Sequence, residues 1–288
     1  MRKLAAVTTA WCSFGLACAS SARSSRTLDV GDARINYTVE GRGPAVVLIH
    51  GWALSLREWD DQIAELAPRF QVVAYDRRGY GKSTGFADPS ADPGDLRALL
   101  DSLEIRSAVL VGHSAGADIA SRFAAAMPER VKGLVLYGGD PPEGFPIPSG
   151  GPGFEFLKTF ARQHGVDSLF RFAMTLPHFQ PGPHRTPAMQ ARLDSILAGY
   201  SGRDLLEDHP SSGAFPPARF AEMRRWRFPT LFISGAAEEP YWHMVADSLA
   251  QWMPNARKVV IPGGGHGVHF DEPTQFNAAL LAFLREIH

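Results

Sequence analysis

A serine flanked by glycines stands near the middle of the chain, in Gly112-His113-Ser114-Ala115-Gly116. Before it, 108–111 is an apolar, β-branched run that reads as a buried strand; directly after it, 117–126 carries a helical pattern. A G-x-S-x-G motif between strand and helix holds its serine hydroxyl exposed on a sharp turn, and a Cβ at 112 or 116 would crowd that turn. A free hydroxyl is a weak nucleophile near neutral pH, so Ser114 needs a base. Among ten histidines, His266 stands out, in Gly263-Gly264-Gly265-His266-Gly267 between the last predicted strand and the last predicted helix. Its glycines would let the imidazole swing over the turn. His269 is the alternative base. The two histidines have the side-chain type of metal ligands, but no third ligand accompanies them in the sequence, and no metal or organic cofactor is expected.

A serine–histidine pair works best when a carboxylate orients the imidazole and stabilises its protonated form. Glu238, Glu239 and Asp140 are candidates, each just past a predicted strand. Each is equally suited to cap a helix or face solvent.

The elements that must position these groups follow one rhythm. Residues 27–30 and 34–39 flank Gly31-Asp32 and read as an antiparallel hairpin. Apolar runs at 45–49, 72–75, 108–111 and 131–137 read as strands. Helices are predicted over 58–67, 95–103 and 117–126. This alternation implies an α/β fold with a mostly parallel sheet covered on both faces. After Asp140 the rhythm breaks. A proline- and glycine-rich stretch leads into predicted helices only, over 154–163, 166–175, 187–197 and 217–226. The sheet resumes at 230–234 and 258–261, with helices over 241–252 and 273–287. An all-helical insertion between two strands of a parallel sheet reads as a cap over the carboxyl edge, where open α/β sheets bind ligands. The division is then 23–142 and 227–288 for the core and 143–226 for the cap.

Residues 1–22 stand apart. Arg2 and Lys3 precede an uncharged stretch ending in Ala17-Cys18-Ala19, with the layout of a secretory signal peptide. A lipoprotein signal ending at Cys18 and an uncleaved amphipathic arm are the alternatives. Cys12 and Cys18 are the only cysteines, so cleavage after Ala19 would leave a mature chain without disulfides. Losing Arg2 and Lys3 would also take the formal charge from −1 to −3. The expectation is a secreted or periplasmic protein with no integral membrane span in its mature chain. A near-neutral balance supplies no basic field for nucleic acid. Nothing in the sequence fixes an oligomeric state.

Four motifs together carry a resemblance: His50-Gly51-Trp52, Asp76-Arg77-Arg78-Gly79-Tyr80-Gly81-Lys82-Ser83, the serine turn, and Gly265-His266. In this order they resemble the α/β-hydrolase family, over nearly everything from 27 to 288. The stretch from His50 to Ser83 is similar to cofactor-free perhydrolases and esterases of that fold, whereas His113 and Ala115 depart from the perhydrolase pattern. The resemblance implies His266 as base. It puts Glu238 at the usual acid position, one carbon longer than the customary aspartate, with Asp140 at a placement other members use. It implies an oxyanion hole from the amides of Trp52 and Ala115, and reads His50 and His113 as structural neighbours of the site. Serine at 114 argues against dehalogenase and epoxide hydrolase chemistry, where the nucleophile is a carboxylate.

The reading that results is a carboxylic ester hydrolase acting on a small-molecule ester or lactone through an acyl-enzyme. C–C bond hydrolysis or perhydrolysis on the same triad, or a ligand-sensing protein without turnover, are the alternatives. Trp52, His113, Phe156, Phe160 and Phe172 are the candidate substrate-binding side chains, although for the cap phenylalanines the simpler reading is that they form the cap's own core.

Overall fold

The computed structural model describes residues 24–146 and 153–287. The expected signal segment 1–22, with Cys12 and Cys18, lies outside them. Eight strands form one sheet: β1 (Arg26–Val30), β2 (Ala33–Glu40), β3 (Ala45–Ile49), β4 (Gln71–Tyr75), β5 (Ala108–His113), β6 (Val131–Tyr137), β7 (Thr230–Gly235) and β8 (Ala256–Ile261). Their spatial order is β1-β2-β4-β3-β5-β6-β7-β8. The hairpin β1–β2 is antiparallel, as is β2 against β4; every later pairing is parallel.

Side-chain alternation divides the core. Val47, Ile49 and Leu110 point to one face, where Leu96, Leu99, Ile119, Phe123 and Leu249 pack. Val46, Leu48, Val109 and Val111 point to the other, against Ile63, Leu66, Phe276, Leu280 and Phe283. The helices supplying the first face are α2 (Asp92–Ser102), α3 (Ala115–Ala126) and α9 (Pro240–Trp252); those on the second are α1 (Asp60–Leu66) and α11 (Pro273–Ile287). Apolar runs without polar alternation are what a strand buried on both faces requires. Fully burying each Val, Leu or Phe contributes about 1.5–3 kcal/mol.

Between β6 and β7 the described regular elements are helical: α4 (Phe154–His164), α5 (Val166–Ala173), α6 (Pro187–Leu197), α7 (Arg203–Leu206) and α8 (Phe220–Met223). This is the cap. The helix predicted over 217–226 shrinks to the single turn α8. Arg219 is extended, and the backbone at Ala218 and Phe220 instead bonds to Glu143, at 3.0 and 2.9 Å. A further short helix, α10 (Val268–Asp271), precedes α11. No helix among the described residues is long and apolar enough to cross a membrane.

Two buried carboxylates dock the cap. Asp204 on α7 accepts from the Trp52 indole N–H and the Tyr80 hydroxyl, both at 3.0 Å, and from the Tyr200 hydroxyl. Asp271 on α10 accepts from the amides of Gly182 (3.0 Å) and Gly265 (2.7 Å) and from Arg185 Nε (2.5 Å). Below the cap, Asp76 organises the loop after β4 by accepting from the amides of Leu56 and Lys82 and from Asn36. Arg77 and Arg78 are tied to Asp92 and Asp95. Asp204→Ala is expected to leave its donors without an acceptor and cost about 2 kcal/mol or more. Chemical denaturation followed by tryptophan fluorescence checks this, and a loss below about 0.5 kcal/mol, the level of an ordinary surface substitution, would contradict it.

Candidate active site

Every candidate group lies at or beyond the carboxyl end of a parallel strand. β3 leads to Gly51-Trp52, β5 to Ser114, β6 to Asp140, β7 to Glu238 and β8 to His266. Ser114 has φ 51° and ψ −121°, a left-handed backbone that a residue with a Cβ rarely adopts. The chain turns so tightly because nothing projects from its neighbours. A Cβ at Gly116 would come within 2.1 Å of the Ile49 carbonyl oxygen, and one at Gly112 within 2.5 Å of the Gly116 carbonyl oxygen. α3 begins at Ala115, so its N–H is among the first-turn amides that have no intrahelical acceptor. The Trp52 N–H also makes no hydrogen bond among the described residues.

His266 is nearly buried, with Nδ1 3.0 Å from Glu238 Oε1, the spacing of a ring N–H donating to a carboxylate. The ring rests against Gly138, where a Cβ would fall 2.4 Å from Cε1. Ser114 and His266 line the same cavity of about 130 Å³. No hydrogen bond joins their side chains among those described. Catalytic bonds of this kind often tighten only once substrate is in place.

The other candidates separate cleanly. Asp140 is exposed and makes no hydrogen bond to a histidine among the described residues. Glu239 flanks the start of α9 and lies 4.0 Å from His178 Nδ1. His269, the alternative base, is fully buried against Trp59 and His113, away from the cavity. Its company is Glu58 and His113, and the ligand atoms of these three lie within 4.8 Å of one another. The third group missing beside the two loop histidines therefore exists for His269 and His113, not for His266. His50 accepts from the Arg77 amide at 2.8 Å and pairs with the Gly51 carbonyl; burial drives its pKa down to about 3.

The cap phenylalanines need a correction. Phe156, Phe160 and Phe172 pack on one another, with ring centroids 5.0–6.1 Å apart, and line none of the cavity. Phe156 is 45% exposed. Phe156 and Phe160, four residues apart on α4, share a helix face, and neither is among the residues that line the cavity with Ser114. Phe170, Met174 and Phe179 line the cavity instead, together with Trp52, Leu54, Phe270 and His113. Sequence reasoning also missed His178, whose ring centroid is only 3.8 Å from that of His266, and Asp204, which holds the Trp52 indole. His178 sits in a single turn between helices, where no periodicity marks a residue.

Burial governs the electrostatics. It pushes the Glu238 carboxyl up to about 8 and the His266 imidazole well down, with His113 and Arg185 adding to the latter. If an ionised Glu238 must orient a neutral His266, kcat/KM should rise with pH through about 8. Glu238→Gln should remove that limb and lower kcat by roughly 10³–10⁴-fold, the scale for losing the orienting acid. The stability linkage has the opposite sign. A carboxyl raised from 4.5 contributes stability below that value and loses it as pH rises through about 8, so Glu238→Gln should gain stability over wild type above pH 8. A pH–rate limb near 6.5, that of an ordinary imidazole, would contradict the assignment.

Comparison with known proteins identifies the family. The family model described as the alpha/beta hydrolase fold matches residues 44–273. A 2-hydroxy-6-oxononadienedioate/2-hydroxy-6-oxononatrienedioate hydrolase of Paraburkholderia xenovorans is 30% identical over 274 residues, covering 88% of this chain and 91% of its own. A pimeloyl-[acyl-carrier protein] methyl ester esterase of Pectobacterium carotovorum is 29% identical over 265 residues, covering 87% and 98%. Among solved structures, a thermophilic esterase from Thermogutta terrifontis superposes with a TM-score of 0.76 at 23% identity, over 93% of this chain and all of that one. The chain belongs to the α/β-hydrolase fold family and is a hydrolase.

Proposed function

We propose that the protein is a serine hydrolase of small carboxylic esters or lactones. The observation that carries this is the Glu238–His266 pair, 3.0 Å apart, whose histidine lines the cavity that also holds Ser114. Ser114 Oγ attacks the carbonyl carbon while His266 Nε2 takes its proton, and Glu238 stabilises the imidazolium formed. The Trp52 and Ala115 amides donate to the developing oxyanion. Collapse breaks the bond to the leaving oxygen, which takes the proton back from His266. Water, activated by the same histidine, then frees the acid from the acyl-enzyme. The site's groups need no cofactor for these steps. Asp140 and Glu239 take no part. We further propose export to the periplasm or medium, on the strength of the charged, apolar and small-residue succession of 1–22.

Cleavage of a carbon–carbon bond is the second reading, because the Paraburkholderia relative is named for a dienoate substrate. The same residues could attack a ketone and expel a carbanion. Hydrolysis of p-nitrophenyl esters of rising chain length, beside Ser114→Ala, tests the first reading. Wild type should turn over repeatedly with a short-chain optimum, and Ser114→Ala should lose roughly 10⁴–10⁶-fold in kcat. Turnover of a 2-hydroxy-6-oxodienoate well above that of every ester would favour the second. Activity surviving in Ser114→Ala would sink both.

A further inference from the structure

Apart from the reacting groups and the imidazole of His113 the cavity wall is apolar, with one charged exception. Arg185, in the loop that leads into α6, lines it beside Phe179 and Phe270. The side chain is 5% exposed and its partner Asp271 is fully buried. Nε donates to Asp271 Oδ1 at 2.5 Å and Nη1 to Gln190 Oε1 at 3.3 Å. Nη2 donates to no described residue. It lies next to Gly267, where a Cβ would stand 2.9 Å from it, directly beyond His266.

The Asp271 carboxylate does not belong to the arginine alone. Its other oxygen already accepts from the Gly182 and Gly265 amides, so the guanidinium retains positive potential toward the cavity. That field depresses the His266 imidazole, after burial and His113. Two of the three guanidinium nitrogens fix the fork, and the third, beside Gly267, is left without a described acceptor on a residue that lines the space substrate must fill. An arginine held in this way binds an oxygen acceptor with little further ordering cost.

Resting on the ester or lactone reading above, we propose that Arg185 is the specificity-determining contact of this pocket, and that the substrate carries a second oxygen acceptor, a carboxylate or a carbonyl, besides the scissile carbonyl. An alkyl substrate would cover the Nη2 donors without replacing their hydrogen bonds, so it is discriminated against by a desolvation cost that no apolar contact offsets. Asp271 is the positioning residue: it sets the fork and ties the cap loop to the loop carrying His266.

The test uses two matched sets of esters on the full chain. On the acyl side, methyl 4-oxopentanoate and monomethyl glutarate are compared with methyl pentanoate. On the alcohol side, acetoxyacetone and acetoxyacetic acid are compared with propyl acetate. In at least one set wild type should favour an oxygen-bearing ester over its alkyl control by about tenfold or more in kcat/KM, the scale of one charge-assisted hydrogen bond. Arg185→Met should bring that ratio near one. Arg185→Lys should recover part of the ratio for the carboxylate and little for the carbonyl, because a point charge lacks the fork. The set that responds identifies the half of the substrate, and the preferred member separates carboxylate from carbonyl. Equal losses on oxygen-bearing and alkyl esters in Arg185→Met would make the arginine a clasp and overturn the proposal. Should that variant fail to fold, a wild-type ratio near one in both sets overturns it without the variant. No turnover of any ester would bring down the esterase reading and this one together.

Discussion

One turn carries the chemistry. Ser114 is held in a left-handed conformation because the strand before it and the helix after it pack closer than any side chain would permit. The Gly116 backbone lies against the Ile49 carbonyl at the end of β3, so the turn is welded to the neighbouring strand that leads to Trp52. A single close approach thus sets the nucleophile, the amide that follows it and the amide across from it. Such strain persists only where the surroundings over-determine it. Here they are the fully buried Val109, Leu110 and Val111 on one side of the turn and Ile119, Ala120 and Phe123 on the other.

The rest of the site comes by loops from strands farther along the sheet, and loops must be held. His266 is kept by Glu238 on one side, by the vacancy of a side chain at Gly138 below, and by His178 above. The cap is held over this arrangement chiefly through side chains. Asp204 gathers donors from the core and the cap; Asp271 gathers two loop amides and one guanidinium. Buried carboxylates that collect several donors are rigid, because removing any one donor leaves an expensive lone pair. Substrate selection and catalytic geometry are therefore built from the same few contacts.

Much of this was legible before any coordinates. Strands β3 and β6 and helices α6 and α11 match their sequence readings end to end, because an unbroken apolar run or a bounded 3.6-residue period leaves little choice. Helix α2 begins at Asp92, three residues before the sequence reading, since Asp92-Pro93-Gly94 resembles a turn although proline is well suited to a first helical turn. The serine turn was visible as a local motif. The pairing of Glu238 with His266, 28 residues apart, is tertiary, so the sequence left three carboxylates open. The cap was least legible. Its helices declare which residues share a face but not which face meets Ser114, so nothing in the sequence separates Phe156, Phe160 and Phe172 from the Phe170 and Phe179 that line the cavity. Arg185 and His178 sit in irregular chain, where only the folded structure reveals their neighbours.

The central claim is that Ser114 Oγ is the group that becomes acylated. Intact-mass spectrometry of the protein after a fluorophosphonate, followed by peptide mapping, tests it most directly. The account predicts one adduct per chain, on Ser114, forming faster as pH rises through about 8 in step with ionisation of Glu238. An unlabelled chain, or an adduct on any other residue, would contradict it.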